Sequence, residues 1–165
     1  MTVIVCPMDA ASAECARRGA AHTVSLLSPS LPPPAFALPP EQRLHLAFND
    51  IAAPAEGLVH PTEAHMDALL AFFGRWDRRS TLLIHCLAGI SRSTAAGYTA
   101  ACLRDGPGAE TRLALRLRDV APFATPNPLM IAMADRMLGR GGTMIAAVAA
   151  IGRGEEAGCG VPFEI

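Results

Sequence analysis

The run Thr81–His85 (TLLIH) is apolar without the alternation of a half-exposed strand. Such a strand needs cover on both faces, which a parallel sheet between helical layers supplies. It passes through a short turn containing Gly89 into Ser91–Arg104, a helical stretch closed by Gly106-Pro107-Gly108. The rest of the chain repeats this alternation. Thr2–Cys6 (TVIVC) and His22–Leu27 (HTVSLL) predict strands either side of a helix over Ala10–Arg18, with Asp9 at its head and Gly19 at its tail. Leu44–Phe48 (LHLAF) predicts a third strand, ending at Asn49-Asp50.

After His60-Pro61-Thr62, residues Met66, Leu69, Leu70, Phe73 and Trp76 recur at the spacing of one helical stripe, which core packing explains. Further helices are predicted over Glu110–Val120, from an Asn127 N-cap with Pro128 at the first helical position to Leu138, and over Thr143–Ile151. The proline-rich stretch from Pro29 to Pro40 predicts a stiff surface connection rather than a binding motif. Residues 152–165 are glycine-rich and carry no assignable pattern. The chain has 165 residues, no internal repeat and no second-domain boundary. The expectation is therefore one α/β domain over 1–165, with a short, mainly parallel central sheet flanked by helices.

Composition removes several function classes. With 51% apolar residues and a net charge of −1, the chain is neither disordered nor generally attracted to nucleic acid or anionic membranes. No nucleic-acid or membrane partner is expected, and an anionic ligand must be held by a local site. The opening MTVIVCPMDA lacks the basic start and apolar length of a signal peptide, and Met144–Ile151 is too short to span a bilayer. The five cysteines are scattered, with no CxxC pair and no zinc-ligand spacing, so no metal is expected. A reduced, cytoplasmic setting fits them, in which one thiol can serve as a nucleophile. The fourteen basic residues are all arginine, which fits a GC-rich bacterial genome.

The chemistry concentrates at the end of the fourth predicted strand, in His85-Cys86-Leu87-Ala88-Gly89-Ile90-Ser91-Arg92-Ser93. A loop leading into a helix N-terminus turns backbone N–H groups inward, and the helix dipole adds positive potential. The backbone of Leu87, Ala88, Gly89, Ile90, Ser91 and Arg92 is thereby suited to hold a phosphoryl group. Gly89 permits a tight turn there. The guanidinium of Arg92 can fork two phosphate oxygens. The same field favours the thiolate of Cys86, a nucleophile placed beneath the phosphorus. Ser93 can donate to the sulfur and stabilise it as a leaving group.

This stretch resembles the HCxxGxxR[ST] signature of cysteine-based protein tyrosine phosphatases, met by His85, Cys86, Gly89, Arg92 and Ser93. The region from about 44 to 138 is similar to the small dual-specificity branch and to small bacterial predicted tyrosine phosphatases. The resemblance implies the phosphatase fold, with the phosphate loop at the carboxyl end of a central strand. It implies that Asp50, thirty-six positions before Cys86, is the general acid. A poorly leaving alkoxide needs such a proton donor. Glu56 and Asp77 are the weaker candidates. It also implies that Asn127, in Pro126-Asn127, supports the phosphate loop, although an asparagine before Pro128 is a good N-cap on its own.

The implied reaction is metal-free and cofactor-free hydrolysis of phosphate monoesters through a phosphocysteine. Its substrate is a phosphorylated protein or a small phosphoester. Phosphotyrosine is the first expectation, with phosphoserine and phosphothreonine beside it. The apolar Leu87, Ala88 and Ile90 stand where phosphoinositide phosphatases carry basic residues. No aromatic clamp of the tyrosine-specific branch is identifiable. The rivals are a phosphatase of nucleotides, RNA 5′ ends or inositol phosphates, and a pseudophosphatase that binds phosphate without turnover. The latter is disfavoured because Cys86, Arg92 and Asp50 are all present.

Overall fold

A computed structural model describes residues 2–165. Four strands, β1 (Val3–Pro7), β2 (Ala20–Leu27), β3 (Arg43–Ala47) and β4 (Thr81–Cys86), form the parallel body of one sheet. A two-residue strand, β5 (Phe163–Glu164), joins its edge antiparallel to β1, giving the order β3-β2-β4-β1-β5. β4 lies between β2 and β1, and all its residues after Thr81 are buried, as its unbroken apolar run requires.

Side-chain alternation divides the strands between two layers. Val3, Val5, Val24, Leu26, Leu82 and Ile84 meet the helices α2 (Glu63–Arg75), α3 (Arg92–Asp105), α4 (Glu110–Val120), α5 (Pro128–Met137) and α6 (Thr143–Ile151). Ile4, Cys6 and Leu83 face the other way, onto α1 (Met8–Arg18) and the apolar Phe36 and Leu38 of the proline-rich stretch. That stretch is a connection inside the domain, pinned to α1 where Ser12 Oγ donates to the Ala35 carbonyl over 2.8 Å. Helix α3 follows β4 and is the hub of the helical layer, with every residue from Arg92 to Cys102 buried. Its small residues permit this depth. A Cβ on Gly97 would stand 2.5 Å from Val5 Cγ2, so the helix approaches the sheet closer than any larger residue allows.

Three expectations are corrected. Asp9 does not precede α1 but lies in its first turn, since the helix starts at Met8, directly off β1. In α2 the stripe is Met66, Leu69, Phe72, Phe73 and Trp76, with Leu70 only half-buried. Residues 152–165 have a defined course: Gly154 N–H donates to Thr125 Oγ1 and Glu155 N–H to the Pro122 carbonyl. The segment then crosses the loop between β4 and α3, where Gly160 N–H donates to the Ala88 carbonyl over 2.8 Å, and ends as β5.

Candidate active site

Strand β4 ends at Cys86, Leu87–Ser91 make the turn, and α3 begins at Arg92, so fold and loop place the thiol beneath a helix N-terminus. Cys86 is 1% exposed, and its sulfur accepts from Gly89 N–H at 3.2 Å and lies 3.1 Å from Ser93 Oγ. The Gly89 N–H points at the sulfur, and the Ser93 hydroxyl is within hydrogen-bond reach of it, so both can donate to a thiolate there. Burial pushes the thiols of Cys6 and Cys102 up to about 12. Gly89 has a more specific reason for being glycine than a free approach to ligand. Its φ is +72°, and a Cβ would stand 2.7 Å from Pro7 N and 2.9 Å from the Cys6 carbonyl carbon. The loop is therefore pressed against the β1–α1 junction, where Met8 N–H also donates to the Leu87 carbonyl over 3.1 Å.

Arg92 is 3% exposed and is held from below, because its Nη1 donates to the Phe48 carbonyl over 2.7 Å. That contact leaves the Nε edge as the fork for an anion. Nε is buried without a hydrogen-bond partner, 4.0 Å from Asp50 Oδ2. An unpaired buried guanidinium N–H is costly by itself and suits a site made for an oxyanion.

Asp50 stands on the loop after β3. Asn49, read in the sequence only as part of the strand's end, shapes this loop by exchanging hydrogen bonds with Val59 through both backbone and side chain. Ser91 Oγ donates to Asp50 Oδ1 at 2.8 Å, and Asn127 Nδ2 donates to the same oxygen at 2.9 Å. Asn127 is the N-cap its sequence position suggests, but its side-chain amide reaches the loop of Asp50 rather than the Cys86–Arg92 loop. Its Oδ1 caps α5 by accepting from the N–H groups of Leu129 and Met130, while its Nδ2 donates to Asp50 Oδ1 and the Ile51 carbonyl. The backbone joins in, as Asn127 N–H reaches the Ser91 carbonyl and Thr125 N–H the Ile90 carbonyl. Ser91 thereby gains a side-chain role beyond that of its amide.

The remaining candidates separate cleanly. His85 is fully buried, its Nε2 lies 2.7 Å from Ser25 Oγ, and burial pulls its imidazole down to about 4, so it is a neutral bridge between β4 and β2. Asp77 is a turn former: N–H groups of Ser80 and Arg79 hold its carboxyl down to about 2. Glu56 is exposed and does not line the site. A cavity of about 460 Å³ opens over Cys86, with Asp50, Arg92, Ser28 and Ser91 as its polar wall and Leu87, Ala88, Ile90, Ala157 and Gly158 as the rest. Among the described residues, no group of three or more His, Cys, Asp or Glu side chains gathers as a metal site elsewhere, and no helix is long and apolar enough to cross a membrane.

No protein-family model matches the sequence, and neither does any curated protein. Solved structures do match in three dimensions. The chain is similar to human DUSP28 at 21% identity and a TM-score of 0.59, covering 90% of this chain and 94% of that one. It is similar to the Cydia pomonella PTP-2 phosphatase at 18% identity and a TM-score of 0.56, covering 81% and 84%. PTPMT1 follows at 11% identity and a TM-score of 0.54, covering 90% and 95%. One mainly parallel sheet flanked by helices, with the Cys86–Arg92 loop at the carboxyl end of its middle strand, is therefore the fold of the small dual-specificity phosphatases.

Proposed function

We propose that the chain hydrolyses phosphate monoesters, foremost protein phosphotyrosine with phosphoserine and phosphothreonine beside it, through a phosphocysteine intermediate. The observation that carries this is the convergence of Gly89 N–H and Ser93 Oγ on the Cys86 sulfur at the floor of a cavity walled by Arg92 and Asp50. The Cys86 thiolate attacks phosphorus, and the S–P bond forms as the ester P–O bond breaks. The departing electron pair stays on the leaving oxygen, which takes a proton from Asp50. Two donors already occupy Oδ1 of Asp50, so Oδ2 is the oxygen that carries this proton. The Nε edge of Arg92 and the loop amides hold the equatorial oxygens. Water then attacks the phosphocysteine and passes its proton to Asp50, while Ser93 donates to the departing sulfur.

The cavity favours an aryl ester. Leu87, Ala88, Ile90 and Ala157 suit an aromatic ring, and the wall offers no second cation to an inositol polyphosphate or nucleotide. Cys86→Ser is expected to lose turnover of phosphotyrosine and of a small aryl phosphate while still binding tungstate, because Arg92 and the amides remain. Turnover that persists in this variant refutes the scheme.

A further inference from the structure

Beside the phosphate cavity lies a second depression of about 310 Å³, lined by Met8, Asp9, Leu87, Ala88, Gly158 and Cys159. Leu87, Ala88 and Gly158 line both, so the two are continuous. The near wall is the phosphate loop, and the far wall is built by the start of α1 and by the C-terminal segment. Neither wall is loose. Met8 N–H is tied to the Leu87 carbonyl and Gly160 N–H to the Ala88 carbonyl. A Cβ on Gly160 would lie 2.5 Å from the Phe123 ring, and Phe123 in turn packs edge-on against Phe163 of β5.

We propose that this depression is a substrate subsite for a cationic group, so that the preferred substrate is a phosphorylated peptide with arginine or lysine beside the phosphorylated residue. Apart from Asp50 and Arg92, Asp9 is the charged side chain on these walls. It is exposed and has no ion-pair partner among the described residues. Its distance suits the role. Pro7 is the register partner of Cys86 on the neighbouring parallel strand, and Asp9 is two residues further on. That puts the two Cα atoms within roughly 10 Å, from strand spacing and residue length. A long cationic side chain next to a phosphorylated residue spans this gap. Acidic neighbours in the peptide meet repulsion instead, since the guanidinium of Arg92 is engaged by the phosphoryl group.

The subsite presupposes the phosphatase activity proposed above, and its test keeps the two apart. Two phosphotyrosyl peptides differing only in Arg or Glu at the flanking positions are compared by kcat/KM, in a ratio from which any general loss cancels. The wild type is expected to favour the Arg peptide by about two- to fivefold, the worth of one exposed ion pair, and less at high salt. Asp9→Asn is expected to bring the ratio towards one, and Asp9→Arg to invert it. Binding of both peptides to Cys86→Ser reads the same ratio without turnover, so a failed phosphatase and an absent subsite give different results. A wild-type ratio of one at low salt, or a preference that survives Asp9→Asn in both measurements, overturns the subsite.

Discussion

Replacing Gly89 with alanine adds one methyl group at the most constrained point of the Cys86–Arg92 loop. The cost has two parts. At φ +72° a non-glycine residue is strained by about 1–2 kcal/mol. The new Cβ would also stand 2.7 Å from Pro7 N, against backbone that cannot rotate away, and overpacking of this kind costs about 1–3 kcal/mol. Together these give about 2–5 kcal/mol, or a fall in Tm of about 4–20 °C for a chain of this size. Gly139→Ala is the control, because Gly139 has φ +62° with nothing within 4 Å of its Cβ position. It should show the strain alone, about 1–2 kcal/mol. Thermal unfolding of both variants isolates the contact with Pro7, and phosphotyrosine turnover reads its chemical consequence. Relief of the clash moves Gly89 N–H off the Cys86 sulfur, and loss of one aligned donor is worth about 10²-fold in kcat. Equal Tm losses for the two variants, or a Gly89→Ala enzyme with wild-type kcat, refute the close fit between loop and β1–α1 junction.

Three further outcomes follow from the site. Asp50→Asn should slow esters with basic leaving groups by about 10²–10⁴ and spare an activated aryl phosphate, whose leaving group needs no proton; equal losses for both would make Asp50 a turn residue. The His85 imidazole, at about 4 in the folded chain, lies below the ordinary value of 6.5, so the unfolded chain binds the proton first. Its contribution to stability is present above pH 6.5 and is lost as pH falls towards 4, about 3 kcal/mol in all; denaturant titrations of wild type and His85→Gln that run parallel over this window would contradict it. Iodoacetamide at mildly acid pH should label Cys86 before Cys6 or Cys102, whose thiols burial raises to about 12, and mass spectrometry of the digested protein reads the order.

What the sequence made legible was local. β4 announced itself by an unbroken apolar run, α2 by its stripe and α5 by Asn127-Pro128, and each lies where those signals put it. The spacing of Cys86, Gly89, Arg92 and Ser93 depends on one turn, so it too could be read directly. Contacts made by main-chain atoms left no such trace. The Phe48 carbonyl that anchors Arg92 belongs to a residue chosen for its buried ring, and the Gly160 N–H on Ala88 belongs to a segment without periodicity. β5 is too short to show alternation and exists because β1 offers it an edge. Ser91 and Asn127 meet on Asp50 from places 36 residues apart in sequence, a meeting that only the packing of α3 against α5 creates.

The strand order has a consequence for how the molecule opens. Cys86 is carried by β4, paired on both sides, whereas the chain leading to Asp50 leaves β3, an edge strand paired only to β2 and largely solvent-facing. Amide protons of β4 should exchange only on global unfolding, and those of β3 through smaller, cheaper fluctuations. The proposed nucleophile and the proposed acid therefore ride on parts of unequal stability. Fraying at the β3 edge would loosen Asp50 together with the Phe48 carbonyl that anchors Arg92, while Cys86 and the amides of its loop stay on the frame of β4 and α3.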